Sequence, residues 1–431
     1  MKRHLAMLVL TVSIAGLTAC TSSAGGSSHP AEAPNAVTDW ASIVQPAIHS
    51  ASEPRPPGSS FVLHTIAQLA VYDAVVAIEG GYKPYHTAIE VPEGADMRAA
   101  VATAAYRTVR GRVAPSQFAY LDERYGAYMK DVPQSRAKTD GIEVGEAAAA
   151  GILALRANDG FTNTVAYQCS ANPSPAGEFE PNGGCGTQPV DAVIAQVTPF
   201  TFPNPAQFRP DGPDSFGSDR WVKDFNEVKA YGRMDSSVRT KEQTDVVYFW
   251  AEHSYVHWNR NLISLAVSKG LDVSDTARLF AMAHTAASDA AIAGFEAKYF
   301  YRTWRPRTAI PRAAEDANPN TDPDPAWTPL LTVNHPEYPS GHAFASTALT
   351  EAVAVFFGTD QVEWTIETSK DAVPQLVQTK RTYTSLNALM DDVDNARVWA
   401  GLHYRNSMVE GGALGSEIAQ HVTKVYFRPR D

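Results

Sequence analysis

Three cations, two histidines and a glycine turn fall in three short segments of this chain. Lys298 and Arg305 lie in Lys298-Tyr-Phe-Tyr-Arg-Thr-Trp-Arg305-Pro306. Pro339-Ser340-Gly341-His342 follows, and then Arg397-Val-Trp-Ala-Gly-Leu-His403. Such a set can hold a tetrahedral oxyanion. Ser340 is a natural N-cap, Gly341 lets backbone approach a ligand, and the free N–H groups of the helix that opens there favour an anion. His342 in the first turn is placed for acid–base work. A neutral imidazole at His403 suits an axial ligand or a nucleophile at a pentavalent centre.

The spacing sets what the supporting elements must do. Lys298 and Arg305 are seven apart; on one helix they return to within about 20° of each other, two turns along. Arg397 and His403 are six apart. On one ideal helix they would diverge by about 120°, so only a reaching arginine lets both border one pocket. Lys298, Arg302, Arg305 and Arg307 form a basic run without a carboxylate, readable as a solvated helix face or as an anion funnel.

Periodicity gives helices over 61–78, 97–113, 117–129, 136–158, 241–255 and 259–269. Another runs from an N-cap at Ser274 to about Trp304, another from His342 to about Phe357, and 386–425 is mostly helical. No stretch alternates convincingly with period two. The expectation is an all-α fold: a large helical bundle, with residues 38–240 as a structural half and 241–431 as a catalytic half. Ile66–Ala77 aligns without gaps with Met282–Ala293, Asp73 opposite Asp289, which leaves room for two related bundles. Asp289 is expected either to pair with a site cation or to cap buried helix contacts, with a lean to the former. Residues 161–220 are dense in Pro, Gly, Asn and Asp and read as a long surface excursion that could wall an active-site mouth. A Cys169–Cys185 disulfide is expected to close part of it, stabilising by about 3 kcal/mol in the chain-entropy picture.

The chain has 431 residues and a net charge of −11, a poor match for nucleic acid. Lys2 and Arg3 precede a short apolar stretch, and Leu17-Thr18-Ala19-Cys20 resembles a bacterial lipobox. Residues 1–19 are thus expected to be a lipoprotein signal peptide, Cys20 the lipidated residue, and 20–37 a flexible tether. The expected location is outside the cytoplasm, held to a membrane by the lipid alone. Export is consistent with an oxidised cysteine pair.

Lys-x6-Arg-Pro, Pro-Ser-Gly-His and Arg-x5-His together resemble the signature shared by vanadium-dependent haloperoxidases and type 2 phosphatidic acid phosphatases, over residues 289–407. The resemblance implies an all-helical bundle whose pocket takes vanadate or phosphate. It implies that Lys298, Arg305 and Arg397 bind equatorial oxygens, with the Ser340 hydroxyl and the Gly341 N–H. It makes His403 the axial metal ligand, or the residue that attacks phosphorus, and His342 the acid–base. The family often has Asp four residues after the last histidine, where it orients that histidine; this chain has Ser407.

The haloperoxidase branch is favoured. The sequence reads as lacking a span of about 18 apolar residues, and it is longer than a compact acid phosphatase needs. His335, seven before His342, resembles the algal bromoperoxidase pattern. The expected activity is vanadate-dependent oxidation of bromide or iodide by hydrogen peroxide to hypohalous acid, with a small organic acceptor as a further partner. The alternative is an exported acid phosphatase with a phosphohistidine intermediate.

Overall fold

The computed structural model describes residues 35–430; the expected signal peptide, Cys20 and most of the tether lie outside them. Thirteen α-helices are described: α1 Ala36–Ile48, α2 Pro57–Glu79, α3 Met97–Arg110, α4 Phe118–Lys130, α5 Arg136–Leu155, α6 Asp219–Tyr231, α7 Lys241–Phe249, α8 Ser254–Ser268, α9 Val273–Tyr301, α10 Pro306–Ala309, α11 Gly341–Phe357, α12 Leu386–Trp399 and α13 Arg405–Val425. The only strands among the described residues are Trp364–Glu367 and Lys380–Tyr383, an antiparallel pair that period-two reading missed because each has four residues. The fold is all-α as expected, and the Cys169–Cys185 disulfide is present.

Two sets of three helices repeat one packing plan. In the first, α2, α3 and α5 pack together; in the second, α9, α11 and α13 do. Glycines set the closest approach in each. A methyl group at Gly145 of α5 would stand 2.5 Å from Ala100 O and 3.0 Å from Ala104 N of α3. A methyl at Gly415 of α13 would overlap Phe344 O and stand 3.0 Å from Ala348 N of α11. One turn earlier, Gly141 faces Asp96 at the N-cap of α3, and Gly411 faces Ser340 at the N-cap of α11. The aspartates of the internal echo also share a task. Asp73 accepts from the backbone N–H groups of Tyr85 and Thr87 (2.6 and 2.8 Å), and Asp289 from those of Phe200 and Thr201 (2.6 and 3.1 Å). Both are fully buried, and each ties a loop to its helix. Asp289 therefore does not pair with a site cation; burial lifts it to about 6, against those loop hydrogen bonds.

Gly415→Ala is expected to destabilise by about 1–3 kcal/mol, because backbone faces the added methyl and the two helices must part. A chemical-denaturation midpoint equal to the parent's would show that the contact is relaxed at no cost.

α2 is long and apolar enough to cross a membrane, contrary to the sequence reading, but 89% of its apolar window is buried inside the protein. Its side chains are the partners of α3, α5 and α9. Three further boundaries differ from expectation. The 241–255 helix breaks after Phe249, and α8 restarts at Ser254. α9 is capped by Asp272, whose side chain accepts from Asp275 N, not by Ser274. α6 lies where no helix was read; its Trp221, Phe225 and Val228 form a small second core with Trp304, Val398 and Tyr404.

Candidate active site

Lys298 and Arg305 do not share a helix. α9 ends at Tyr301 because Arg302 adopts the left-handed conformation (φ 53°). The chain then runs extended against the 161–220 loop: Phe179 N donates to Arg302 O, and Trp304 N to Gly177 O at 2.8 Å. Arg305 follows as the N-cap of α10. Arg302 and Arg307 turn to the loop, Arg302 to the Glu178 carboxylate and Arg307 to Glu180 O, so the basic run divides. Arg397 and His403 do not share a helix either. α12 stops at Trp399, Gly401 takes φ +76°, and His403 sits in the turn before α13. That turn removes the 120° divergence.

These breaks bring five of the candidates to one cavity; Lys298, Arg305 and Ser340 are not among its lining residues. His335, Gly341, His342, Arg397 and His403 line one cavity of about 230 Å³, whose other walls include Phe61, Phe295 and Phe344. Val190 and Asp191 of the long loop complete it, as expected of that excursion. A methyl at Gly341 would meet only Lys298 Cε (3.9 Å) and Phe344 Cζ (3.8 Å), so the glycine leaves room beside the lysine. Ser340 is fully buried, caps α11 through Ala343 N, and is fixed by its own N–H to Ser407 O at 3.0 Å.

Lys298 is fully buried, and its Nζ donates to Pro336 O (3.0 Å) and Glu337 O (2.9 Å), leaving one N–H. Arg305 is more committed. Nε donates to His335 O (2.6 Å), Nη1 to Leu402 O (2.8 Å), and Nη2 to His335 Nδ1 (2.9 Å) and Pro336 O (3.3 Å). It braces the His335–Glu337 segment and keeps one N–H. Arg397 is the free hand: Nη1 reaches Trp250 O at 3.1 Å, while buried Nε has no partner.

The decisive contact was not read from the sequence. His403 Nδ1 lies 2.8 Å from Glu337 Oε1, and both side chains are buried. The same oxygen accepts from Tyr404 N at 3.1 Å. A carboxylate only accepts, so His403 Nδ1 carries the proton and the Nε2 lone pair is left for a ligand. Glu337 thus supplies the orienting carboxylate that Ser407 lacks. The one signal in the sequence was an acid in a Pro-flanked segment between two histidines, His335-Pro-Glu337-Tyr-Pro-Ser-Gly-His342. For His335 the shorter contact sets the opposite tautomer: Arg305 Nη2 at 2.9 Å can only donate, so Nδ1 accepts there, in preference to donating to Pro336 O at 3.2 Å, and Nε2 carries the hydrogen.

The electrostatics call for an anion. Burial, then Arg305, pushes Lys298 well below the usual amine range. Burial pulls Arg305 to about 10, and burial with Arg305 pulls Arg397 to about 9. Burial and these cations hold His335 and His403 neutral; for half-buried His342 the causes are burial, then Arg397. Burial lifts Glu337 to about 7, against the pull of Lys298 and Arg305. Three buried cations stand near two carboxylates, Glu337 and, on the cavity wall, Asp191, whose oxygens already accept from Gly58 N, Ser59 N and Ser59 Oγ. An oxyanion here would offset the repulsion and take the unpartnered Arg397 Nε, so the donor set fits vanadate or phosphate.

Comparison with known proteins agrees. Residues 278–431 match the family model of the VCPO second helical-bundle domain. Over 114 residues, 24% of this chain, the sequence is 33% identical to the vanadium-dependent bromoperoxidase of Corallina officinalis and 32% identical to that of Corallina pilulifera. The aligned stretch spans only 19% of the length of those relatives. The fold resembles that of a bacterial vanadium-dependent iodoperoxidase (TM-score 0.74, 20% identity, covering 92% of this chain and 96% of that one). It also resembles a holo-type bacterial vanadium-dependent chloroperoxidase (TM-score 0.69, 17% identity, covering 88% and 94%).

Proposed function

Since the chain belongs to the vanadium haloperoxidase superfamily, we propose that it is a vanadate-dependent haloperoxidase that oxidises bromide or iodide with hydrogen peroxide. The observation that carries this reading is one cavity on which His403, with a free Nε2 lone pair, and Arg397, with an unpartnered Nε, both open.

Vanadate bound there would supply a Lewis-acidic centre that makes peroxide electrophilic toward halide without a change of oxidation state. Lys298, Arg305 and Arg397 would hold it with their remaining N–H groups, together with the first amides of α11. His403 would ligate through Nε2, held in that tautomer by Glu337. His342, held neutral by burial and then by Arg397, can take a proton from an incoming acid and return it. Phe61, Phe295 and Phe344 exclude water around it. His335 presents Nε2–H as its remaining donor, which suits a halide and favours bromide or iodide in this proposal. A small organic acceptor would meet the hypohalous acid. Export behind a lipoprotein signal with Cys20 acylated belongs to the same proposal, supported by a disulfide that needs an oxidising compartment.

The test is bromination of a phenolic dye with peroxide and bromide, with and without orthovanadate. Activity should appear only with vanadate and both substrates. A second reading keeps one specific support: Glu337 gives His403 the orienting carboxylate that a phosphohistidine mechanism needs. Turnover of p-nitrophenyl phosphate that vanadate inhibits, with no bromination, would decide for that exported acid phosphatase.

A further inference from the structure

A second cavity, of about 340 Å³, lies behind the His403–Glu337 pair. His403 lines the first cavity, whereas Glu337 and Ser407 line the second. Its walls are aromatic and acidic. Trp221 packs against Tyr404 (ring centroids 4.8 Å apart) and Phe216 (5.1 Å), and Asp214 and Asp224 join them. No lysine or arginine lines it.

Two of its three carboxylates are spoken for. Glu337 holds His403, and Asp214 is paired with Arg220 at 2.5 Å. Asp224 is not. It is 3% exposed, and Oδ2 accepts from Asn406 N at 2.6 Å. Among the described residues Oδ1 accepts no hydrogen bond and the side chain makes no ion pair. Two cations act on it without pairing with it: Arg405 is held by Glu227 (2.6 Å) and Asn395 (2.9 Å), and Arg220 by Asp214. Burial and the neighbouring charges of Glu227 and Asp214 raise the Asp224 carboxyl above its usual range. A carboxylate with no ion pair of its own, on the wall of an aromatic cavity, gains from a cation that binds there. Among the described residues no cluster of three or more His, Cys, Asp or Glu could hold a metal ion. The aromatic walls suit an organic cation, which can lie against ring faces.

We propose that this cavity binds a small organic ammonium ion with an aromatic body, its nitrogen on Asp224 and its ring against Trp221 and Tyr404. The volume falls within the range of small-molecule sites, and indole and phenol rings attract cations by their faces. The proposal does not depend on the oxyanion chemistry, and its test needs neither vanadate nor peroxide.

Calorimetric titration of the full chain with 2-phenylethylammonium chloride is expected to show saturable binding at one site. The neutral analogue 2-phenylethanol should bind about tenfold more weakly or worse, since it cannot make the charge-assisted contact. Asp224→Asn keeps the acceptor for Asn406 N and should lower ammonium affinity to that of the alcohol. Absence of saturable binding, equal affinity for ammonium and alcohol, or unchanged affinity in Asp224→Asn would each overturn the assignment. If the variant does not fold, the comparison of the two ligands on the parent chain decides alone.

Discussion

His403→Ala is expected to remove halide oxidation by about 10³-fold or more while leaving the helical fold in place. Among the described residues lining the cavity, the His403 imidazole is the one whose free lone pair is held in a fixed tautomer. Arg397, Lys298 and Arg305 can attract an oxyanion, but they carry donors only. The variant should therefore still bind orthovanadate, more weakly, and fail to turn over. Its structural cost is limited: one buried hydrogen bond is lost, and the Glu337 oxygen keeps Tyr404 N, so about 1–3 kcal/mol of stability is at stake. Bromination rate, vanadate calorimetry and circular dichroism on one sample separate these effects. A variant that binds and brominates like the parent would place the chemistry elsewhere.

Glu337→Gln tests the same site one residue further back and is expected to cost about 10- to 100-fold in bromination rate at saturating vanadate. Two effects oppose each other. Removing a negative charge beside Lys298 and Arg305 makes the pocket more attractive to an anion. But the amide can present N–H to His403 Nδ1, which drives the imidazole into the tautomer with no lone pair at Nε2. The second effect should dominate turnover, because attraction is already supplied by three cations and the lone pair by one residue. Vanadate affinity should thus change less than rate. If rate and affinity fall together with the thermal midpoint, Glu337 is only a structural brace for Lys298 and Arg305.

Much of the candidate site is legible in the sequence. Lys298, Arg305, Ser340, Gly341, His342, Arg397 and His403 stand out by type and spacing, since an oxyanion needs cations, amides and an imidazole whatever the scaffold. The cysteine pair and most long helices were equally readable, because local propensity and apolar period act over a few turns. The manner of convergence was not. Helical wheels put Lys298 with Arg305 on one helix and Arg397 at odds with His403. In the structure a left-handed Arg302, pinned by the 161–220 loop, and a turn at Gly401 decide both cases. The sequence leaves Asp289 between two tasks and leans to a site cation, because its loop partner lies 88 residues away.

Residue chemistry alone therefore determines which groups are candidates to hold an anion. Only tertiary structure decided which carboxylate orients His403. Glu337 and His403 stand 66 residues apart and meet because Gly411 and Gly415 let α13 press against α11. No short-range pattern encodes such a meeting: it depends on how closely two helices approach, and that is set by packing across the whole bundle.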